Sequence, residues 1–344
     1  MKVLVTGAAG FIGFHAAKAL LDRGDEVVGL DSLNEYYDVR LKRARLEILG
    51  SAAGFRFVHL DLADRERMAE LFAAEGFRRV VHLGAQPGVR HSIAKPFPYI
   101  RSNVLGTLTV LEGCRHTGVE HLVFASTSSV YGANARMPFS VRQGADHPLS
   151  LYAATKKSNE MMAHSYSSLY ALPATGLRFF TVYGPFGRPD MALFGFTRDI
   201  LRGRPIDLYN RGNHRRDFTY IDDAVLALVE LLDRPPRPDA DWNADLPNSS
   251  TSSAPYRLYN VSTGQPVELL RLVEILEACL GRKARKNLLP MQPGDVHETW
   301  GDITELQAQF DYRPTTSLEE GVKRFVEWYL DFYGNGSRSP DHLG

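Results

Sequence analysis

Short apolar runs alternate with amphipathic stretches through the first half of the chain. Lys2 to Thr6, Glu26 to Leu30, Arg56 to His59, Arg79 to Leu83 and His121 to Ala125 read as strands, the brief apolar runs expected of a parallel sheet covered on both faces. Helical periods lie between them. Ile12 to Asp22 sets Ala16, Ala19 and Leu20 on one face, and Asn103 to His116 brings Leu108, Leu111 and Glu112 together. This alternation predicts an α/β fold, a doubly wound parallel sheet of Rossmann type. Past about residue 185 the pattern is less regular: Gly203, Pro205 and Gly212 punctuate it, while Ala224 to Leu232 and Leu269 to Leu280 read as helices. The expected organisation is a first unit over 1–185, a smaller mixed α/β C-terminal lobe over 186–334 that binds substrate and exchanges chain with the first, and a flexible tail over 335–344. Pro235 to Pro255, rich in Pro, Ser, Asn and Asp, reads as a mobile surface excursion rather than a domain linker.

Composition narrows the function. The 344 residues are 44% hydrophobic and 23% charged, ordinary for a globular protein. Lys plus Arg and Asp plus Glu number 40 each, so no general basic field attracts nucleic acid or an anionic membrane, and His214-Arg215-Arg216 is too short to supply one. No apolar run reaches 18 residues, and the opening MKVLVTGAAGFIG lacks the form of a signal peptide, so a cytoplasmic protein is expected. Cys114 and Cys279 lie in helical segments without the spacing of a zinc site or redox pair; inert thiols and no metal are expected. The glycosylation-like tripeptides at Asn248 and Asn335 carry no weight without a secretory signal.

The chemistry begins at Gly7, Gly10 and Gly13. This G-x-x-G-x-x-G follows an apolar strand and opens a helix, so backbone amides and the helix dipole, with Phe11 and Ile12 inside the turn, can meet a pyrophosphate. Asp31 ends the second strand, where a carboxylate can accept both ribose hydroxyls and repel a 2'-phosphate; Ser32 and Asn34 follow it. The pattern favours NAD over NADP and makes 1–185 the NAD-binding unit. Asp61, Leu62, Leu83 and Ala85 end further strands on the same edge and are candidate cofactor contacts.

Tyr152 and Lys156 stand one helical turn apart, and an ammonium beside a phenol would favour phenolate and so a general base. Upstream, Ser126-Thr127-Ser128-Ser129-Val130-Tyr131-Gly132 follows a strand, at the sheet edge where ligands bind. Together the glycine motif, Asp31, this run and Y-x-x-x-K resemble the extended short-chain dehydrogenase/reductase family, over almost the whole chain to about Tyr329. The resemblance assigns Thr127 the sharing of a proton with the substrate oxygen, Tyr152 the role of base, and Lys156 a further role in anchoring the nicotinamide ribose.

Arg178 to Ala192, R-F-F-T-V-Y-G-P-F-G-R-P-D-M-A, resembles the UDP-glucuronate 4-epimerase group, whereas the UDP-galactose group commonly has asparagine at the position of Thr181. That resemblance implies inversion of C4 of UDP-glucuronic acid through a transient 4-keto sugar. Thr181 and Arg188 become candidates for the sugar carboxylate, with Arg90, Ser128 and Ser129 beside them; Asp207, Leu208 and Tyr209 for the uracil; and Arg216 and Asp295 for phosphate and ribose. Dehydratases usually place Asp and Glu after the threonine of the serine run, and decarboxylases place Glu before V-Y-G; this chain has Ser128 and Ser129. A UDP-glucose/galactose epimerase or a UDP-glucuronate decarboxylase remains the alternative on the same scaffold, and a non-catalytic NAD-binding regulator is a more distant one. The family commonly dimerises through two helices per subunit, so a homodimer is expected through Asn103 to His116 and Tyr152 to Tyr170; Met161, Met162, Tyr166 and Leu169 belong either to that interface or to the core.

Overall fold

The structure is a computed structural model that describes residues 1–292 and 296–334. The expected tail over 335–344 therefore lies outside the described residues. The chain begins with β1 (Lys2–Thr6), α1 (Phe11–Asp22), β2 (Glu26–Asp31), α2 (Val39–Gly50), β3 (Phe55–His59), α3 (Arg65–Glu75) and β4 (Arg79–His82). The short helices α4 (Val89–Ala94) and α5 (Phe97–Tyr99) and a π-helical turn at Ile100–Leu105 lead into α6 (Gly106–Thr117), β5 (His121–Thr127), α7 (Leu151–Tyr170) and β6 (Ala174–Phe179). Next come β7 (Thr181–Tyr183), α8 (Ala192–Leu201), β8 (Pro205–Leu208), β9 (Arg215–Tyr220), α9 (Ile221–Leu232) and β10 (Tyr256–Val261). The last elements are β11 (Pro266–Glu268), α10 (Leu269–Leu280), β12 (Arg285–Leu288), β13 (Glu298–Thr299), α11 (Thr304–Phe310) and α12 (Leu318–Gly334).

Seven strands form one parallel sheet in the order β10-β6-β5-β4-β1-β2-β3, the Rossmann-type arrangement expected. The two-residue period of a strand divides its apolar side chains between two cores: Val3 and Val5 face one, Leu4 the other, and Val27 and Val28 divide likewise. Covering both faces is what lets such strands be apolar throughout. Residues beyond 185 return to this sheet. β10 pairs with β6 from Tyr256↔Ala174 to Val261↔Phe179, satisfying what would otherwise be an open edge. β7, β9, β11 and β13 form a second small sheet, and β8 pairs with β12.

Two local expectations need correction. The expected single helix from Asn103 to His116 opens instead inside the π-helical turn. There Asn103 turns inward: its Oδ1 accepts from the Gln86 amide at 2.7 Å, and its Nδ2 donates to the Gln86 carbonyl at 3.1 Å and to Thr155 Oγ1 at 3.0 Å. The stretch from Pro235 to Pro255 is a surface excursion only in part. Leu246 is exposed, but Ser250, Thr251 and Ser252 are buried, and the Leu258 amide donates to the Ser250 carbonyl at 2.9 Å, laying this end along β10. Cys114 sits in the core and Cys279 is partly buried. Among the described residues, no helix is long and apolar enough to cross a membrane.

Candidate active site

The site lies at the carboxyl ends of the parallel strands. After β1 the chain turns at Gly7, where φ is +72° and a Cβ would stand 2.8 Å from the Gly84 backbone nitrogen. A Cβ at Gly13 would overlap the Gly7 carbonyl oxygen, so both positions need the absence of a side chain. Gly10 is the N-cap of α1 and offers no side chain to its first-turn amides. Bare amides at the positive end of a helix dipole, approached through a backbone without Cβ atoms, suit a pyrophosphate.

Asp31, at the end of β2, accepts from the Leu33 amide at 2.8 Å and the Ala9 amide at 3.2 Å, so its carboxylate is fixed where it lines the cavity. Lys42 of α2, absent from the sequence candidates, donates to both the carbonyl and the side-chain oxygen of Asn34 at 2.8 Å. Burial lowers the pKa of Lys42, with Asp31 opposing. Nothing local marks this lysine, because a lysine in an amphipathic helix reads as a solvated face.

The catalytic end is built by α7 and the end of β5. Ser150 caps α7 by accepting from the Ala153 amide at 3.1 Å, and the helix presents Tyr152 and Lys156 one turn apart. Thr127 accepts from the Ser129 amide at 3.2 Å, and it lines the cleft together with Tyr152. Burial pushes Lys156 down to about 8, against the pull of Glu160. The electrostatic expectation for Tyr152 must be revised. Burial raises its pKa; the opposing influences are the Arg188 charge and the Thr127 hydroxyl, while Asp190 adds to the rise. Arg188 is the cation that favours the phenolate here, and desolvation outweighs it.

Behind this pair is a buried ionic cluster. Arg178 donates from Nε and Nη2 to the two oxygens of Glu160, each at 2.8 Å; Ser126 Oγ donates to Glu160 at 2.6 Å and Lys157 Nζ at 3.2 Å. Burial alone would raise the Glu160 carboxyl, but Arg178, Lys157 and Ser126 hold it at about 2. The cluster ties β5, β6 and α7 together directly beneath the residues that touch the cavity.

The facing wall carries Thr181 and Arg188. The turn between them is clamped from the first half of the chain: His15 Nε2 meets the Pro185 carbonyl at 3.0 Å, and Arg45 donates to the carbonyls of Ala9 at 2.6 Å and Phe186 at 2.7 Å. Arg188 grips Asp190 through Nε at 3.0 Å and Nη2 at 2.6 Å, and the Tyr36 hydroxyl donates to Asp190 at 3.1 Å. Neither Tyr36 nor Asp190 was legible as a site residue: Asp190 pairs with Arg188 two residues away, but the contact between Tyr36 and Asp190 exists only across the fold. Further along, the Arg90 guanidinium lies 4.7 Å from the centre of the Tyr209 ring.

One cleft of about 1230 Å³ takes in Gly7, Gly10, Phe11, Ile12, Gly13, Asp31, Ser32, Asn34, Asp61, Leu62, Leu83 and Ala85 at one end. It also takes in Thr127, Ser128, Ser129, Tyr152 and Lys156 at its middle, and Arg90, Thr181, Arg188, Asp207, Tyr209 and Arg216 beyond them. That volume exceeds the roughly 300–1,000 Å³ typical of a site for one small ligand, as expected if two nucleotides lie end to end. Leu208 is a correction: strand alternation in β8 turns Asp207 outward and Leu208 fully into the core, so its side chain does not line the cleft. Arg216 does line it, while also donating to the carbonyls of Val296 at 2.7 Å and His297 at 3.0 Å. Asp295 lies outside the described residues.

Residues 3–244 match the model of the NAD dependent epimerase/dehydratase family. The chain is 50% identical over 340 residues to a probable UDP-glucuronate 4-epimerase of Rhizobium meliloti, covering 97% of this chain and 98% of that one. Its fold superposes on the UDP-glucuronic acid 4-epimerase of Bacillus cereus, solved with UDP-glucuronic acid and NAD, with a TM-score of 0.83 at 33% identity, covering 97% of this chain and all of that one. A UDP-glucose 4-epimerase of Thermotoga maritima, solved with UDP-glucose, gives 0.82 at 29% identity over 96% of this chain and 99% of the other.

Proposed function

The chain belongs to the NAD dependent epimerase/dehydratase family, and from that membership we propose that it inverts C4 of UDP-glucuronic acid to give UDP-galacturonic acid, with NAD as its resident cofactor. The observation that supports the substrate assignment is the place of Arg188, a guanidinium that pairs with the chain's own Asp190 and lines the same cleft as Thr127, Thr181, Tyr152 and Lys156, where it would meet a sugar carboxylate. The glycine turn and the uncapped start of α1 would hold the pyrophosphate, Asp31 with Ser32 and Asn34 the adenosine ribose, and Asp61, Leu62, Leu83 and Ala85 the remaining edge. Arg90, Asp207, Tyr209 and Arg216 would hold the uridine diphosphate. In this reading residues 1–185, completed by α9 and β10, form the cofactor unit.

Tyr152 takes the proton of the C4 hydroxyl, with Thr127 sharing the oxygen. NAD held by the glycine turn and Asp31 would supply the acceptor for the C4 hydride and, after the 4-keto sugar has turned over, its donor to the other face. Tyr152 then gives the proton back, and there is no net redox change. A 4-keto uronic acid is a β-keto acid, prone to lose carbon dioxide; Thr181, Arg188, Ser128 and Ser129 hold its carboxylate out of alignment for C5–C6 cleavage.

Incubation with UDP-glucuronic acid, without added reductant and followed by proton and carbon NMR, tests the assignment. UDP-galacturonic acid with C6 retained is the expected product. UDP-xylose or a 4-keto pentose would make the protein a decarboxylase instead. No change, with UDP-glucose converted to UDP-galactose in a parallel tube, would favour the second reading, which the likeness to the Thermotoga enzyme supports.

A second copy of the chain is the proposed partner, seated on α6 and α7. Met161 and Leu169 are 60% and 72% exposed, whereas Met162 and Tyr166 pack against the core, so the face divides between interior and interface. Leu105, Leu108 and Phe97 extend the exposed apolar surface. Light scattering should report a dimer that Met161→Glu with Leu169→Glu converts to monomer; a monomeric wild type would remove this partner.

A further inference from the structure

Arg188 already holds a carboxylate belonging to the chain itself. Asp190 occupies its Nε and Nη2 donors at 3.0 and 2.6 Å, and the two side chains are about equally exposed, at 25% and 28%. Asp190 is in turn held by the Tyr36 hydroxyl at 3.1 Å. Tyr36 is fixed in its own right: its hydroxyl stands where a Cβ on Gly88 would fall, and its ring packs edge-on to His91 with centroids 4.9 Å apart. All of these residues line the cleft beside Tyr152 and Thr181. An arginine meant only to grip a ligand carboxylate as tightly as possible would not be given a permanent acid at its best-aligned edge.

We propose that Asp190 is a resident counter-ion that moderates the grip of Arg188, so that a substrate carboxylate is held firmly enough to be oriented and loosely enough for the sugar to turn over. This rests on the assignment of UDP-glucuronic acid as substrate. With the Nε/Nη2 edge committed to Asp190, the incoming carboxylate takes the Nη1 end of the fork. One guanidinium charge is then divided between two acids that also repel each other, and each is held less strongly than by an unshared arginine. The reaction requires both faces of the keto sugar to be presented in turn. A carboxylate locked by an undivided bidentate pair would bind more tightly in the ground state and turn more slowly, a gain in affinity that lowers kcat. Tyr36 sets the balance: by donating to Asp190 it withdraws part of the charge that would otherwise be spent on Arg188. Asp190 and Tyr36 are thus positioning residues acting through Arg188.

The test is a pair of near-isosteric variants in the NAD-loaded enzyme, assayed for UDP-glucuronic acid turnover and for UDP binding by calorimetry. Asp190→Asn keeps an acceptor for Arg188 but removes the charge. KM should fall about fivefold and kcat should fall by about as much or more, the size expected of a partly exposed ion pair, with UDP affinity unchanged because UDP has no sugar carboxylate. Tyr36→Phe should move KM the other way, upward. A raised KM in Asp190→Asn, or kinetics unaltered in both variants, would overturn the proposal, since a scaffold role loses affinity and kcat together. If Asp190→Asn does not fold, the direction of KM in Tyr36→Phe decides alone. Failure of the wild type to epimerise UDP-glucuronic acid would instead defeat the substrate assignment, before either variant is compared.

Discussion

Lys156 should cost the fold stability that its catalytic position requires. It is buried, 3% exposed, and burial brings its pKa from the usual 10.5 down to about 8. At pH 7 the lysine is protonated in both folded and unfolded chains, so the folded state carries the full penalty of a desolvated ammonium. A depression of that size corresponds to about 3 kcal/mol, at roughly 1.4 kcal/mol per pH unit. Lys156→Met, of similar length and without charge, should therefore be more stable than wild type by about 3 kcal/mol at pH 7 while losing activity. An unfolding entropy of roughly 2 cal/mol/K per residue makes that a rise in Tm of about 4 °C for a chain this long. The sign against pH follows from proton binding. Between about pH 8 and 10.5 the unfolded chain holds a proton on Lys156 that the folded chain has released, so wild-type stability from this group rises with pH and the gap to the variant closes. Urea unfolding of the cofactor-free proteins at pH 7 and 9.5 measures both effects. A variant no more stable than wild type at pH 7, or a gap that does not change with pH, would refute the argument that Lys156 is held against its desolvation cost.

Four further outcomes can be measured. Tyr152→Phe should lower kcat by about 10³-fold while NAD and UDP binding survive, since only the proton-transferring hydroxyl is lost; a loss below tenfold would dismiss it as the base. Arg188→Ala should raise a pentose side product or abolish binding of the uronic acid, and unchanged clean epimerisation would remove its role. Glu160→Gln leaves Arg178 charged and buried without its acid, so a loss of about 3 kcal/mol or more is expected in urea unfolding. Because Glu160 is held at about 2 against its usual 4.5, its contribution to stability is present above about pH 4.5 and is lost as pH falls toward 2; the variant should show a flatter acid limb.

Five strands of the parallel sheet, β1 to β5, were legible because their information is local, whereas β6 and β10 were not read from the sequence. A strand buried on both faces must be an apolar run, a helix against it must repeat every three to four residues, and a backbone that meets a pyrophosphate must lack Cβ atoms at Gly7 and Gly13. Tyr152 and Lys156 could be paired for the same reason, since four residues on a helix fix their relative position. Short-range geometry also had its limit. The spacing could pair Tyr152 with Lys156, but not foresee that Arg188, rather than Lys156, is the cation acting on the phenol, nor that burial outweighs it. The strand period of β8 separates Asp207 from Leu208, which a motif read as one contact surface had joined. Tyr36 reaches Asp190 across 154 residues, and Arg45 links the glycine turn to the Phe186 carbonyl across the two halves of the chain. Lys42 gave no signal that its ammonium would be buried on Asn34. The sequence by itself determined the pieces, because hydrophobic period, capping and glycine geometry act over a few residues. Which charges face one another, and how much water is left around them, was decided only by the tertiary structure, because burial and long-range pairing exist only once the chain has folded.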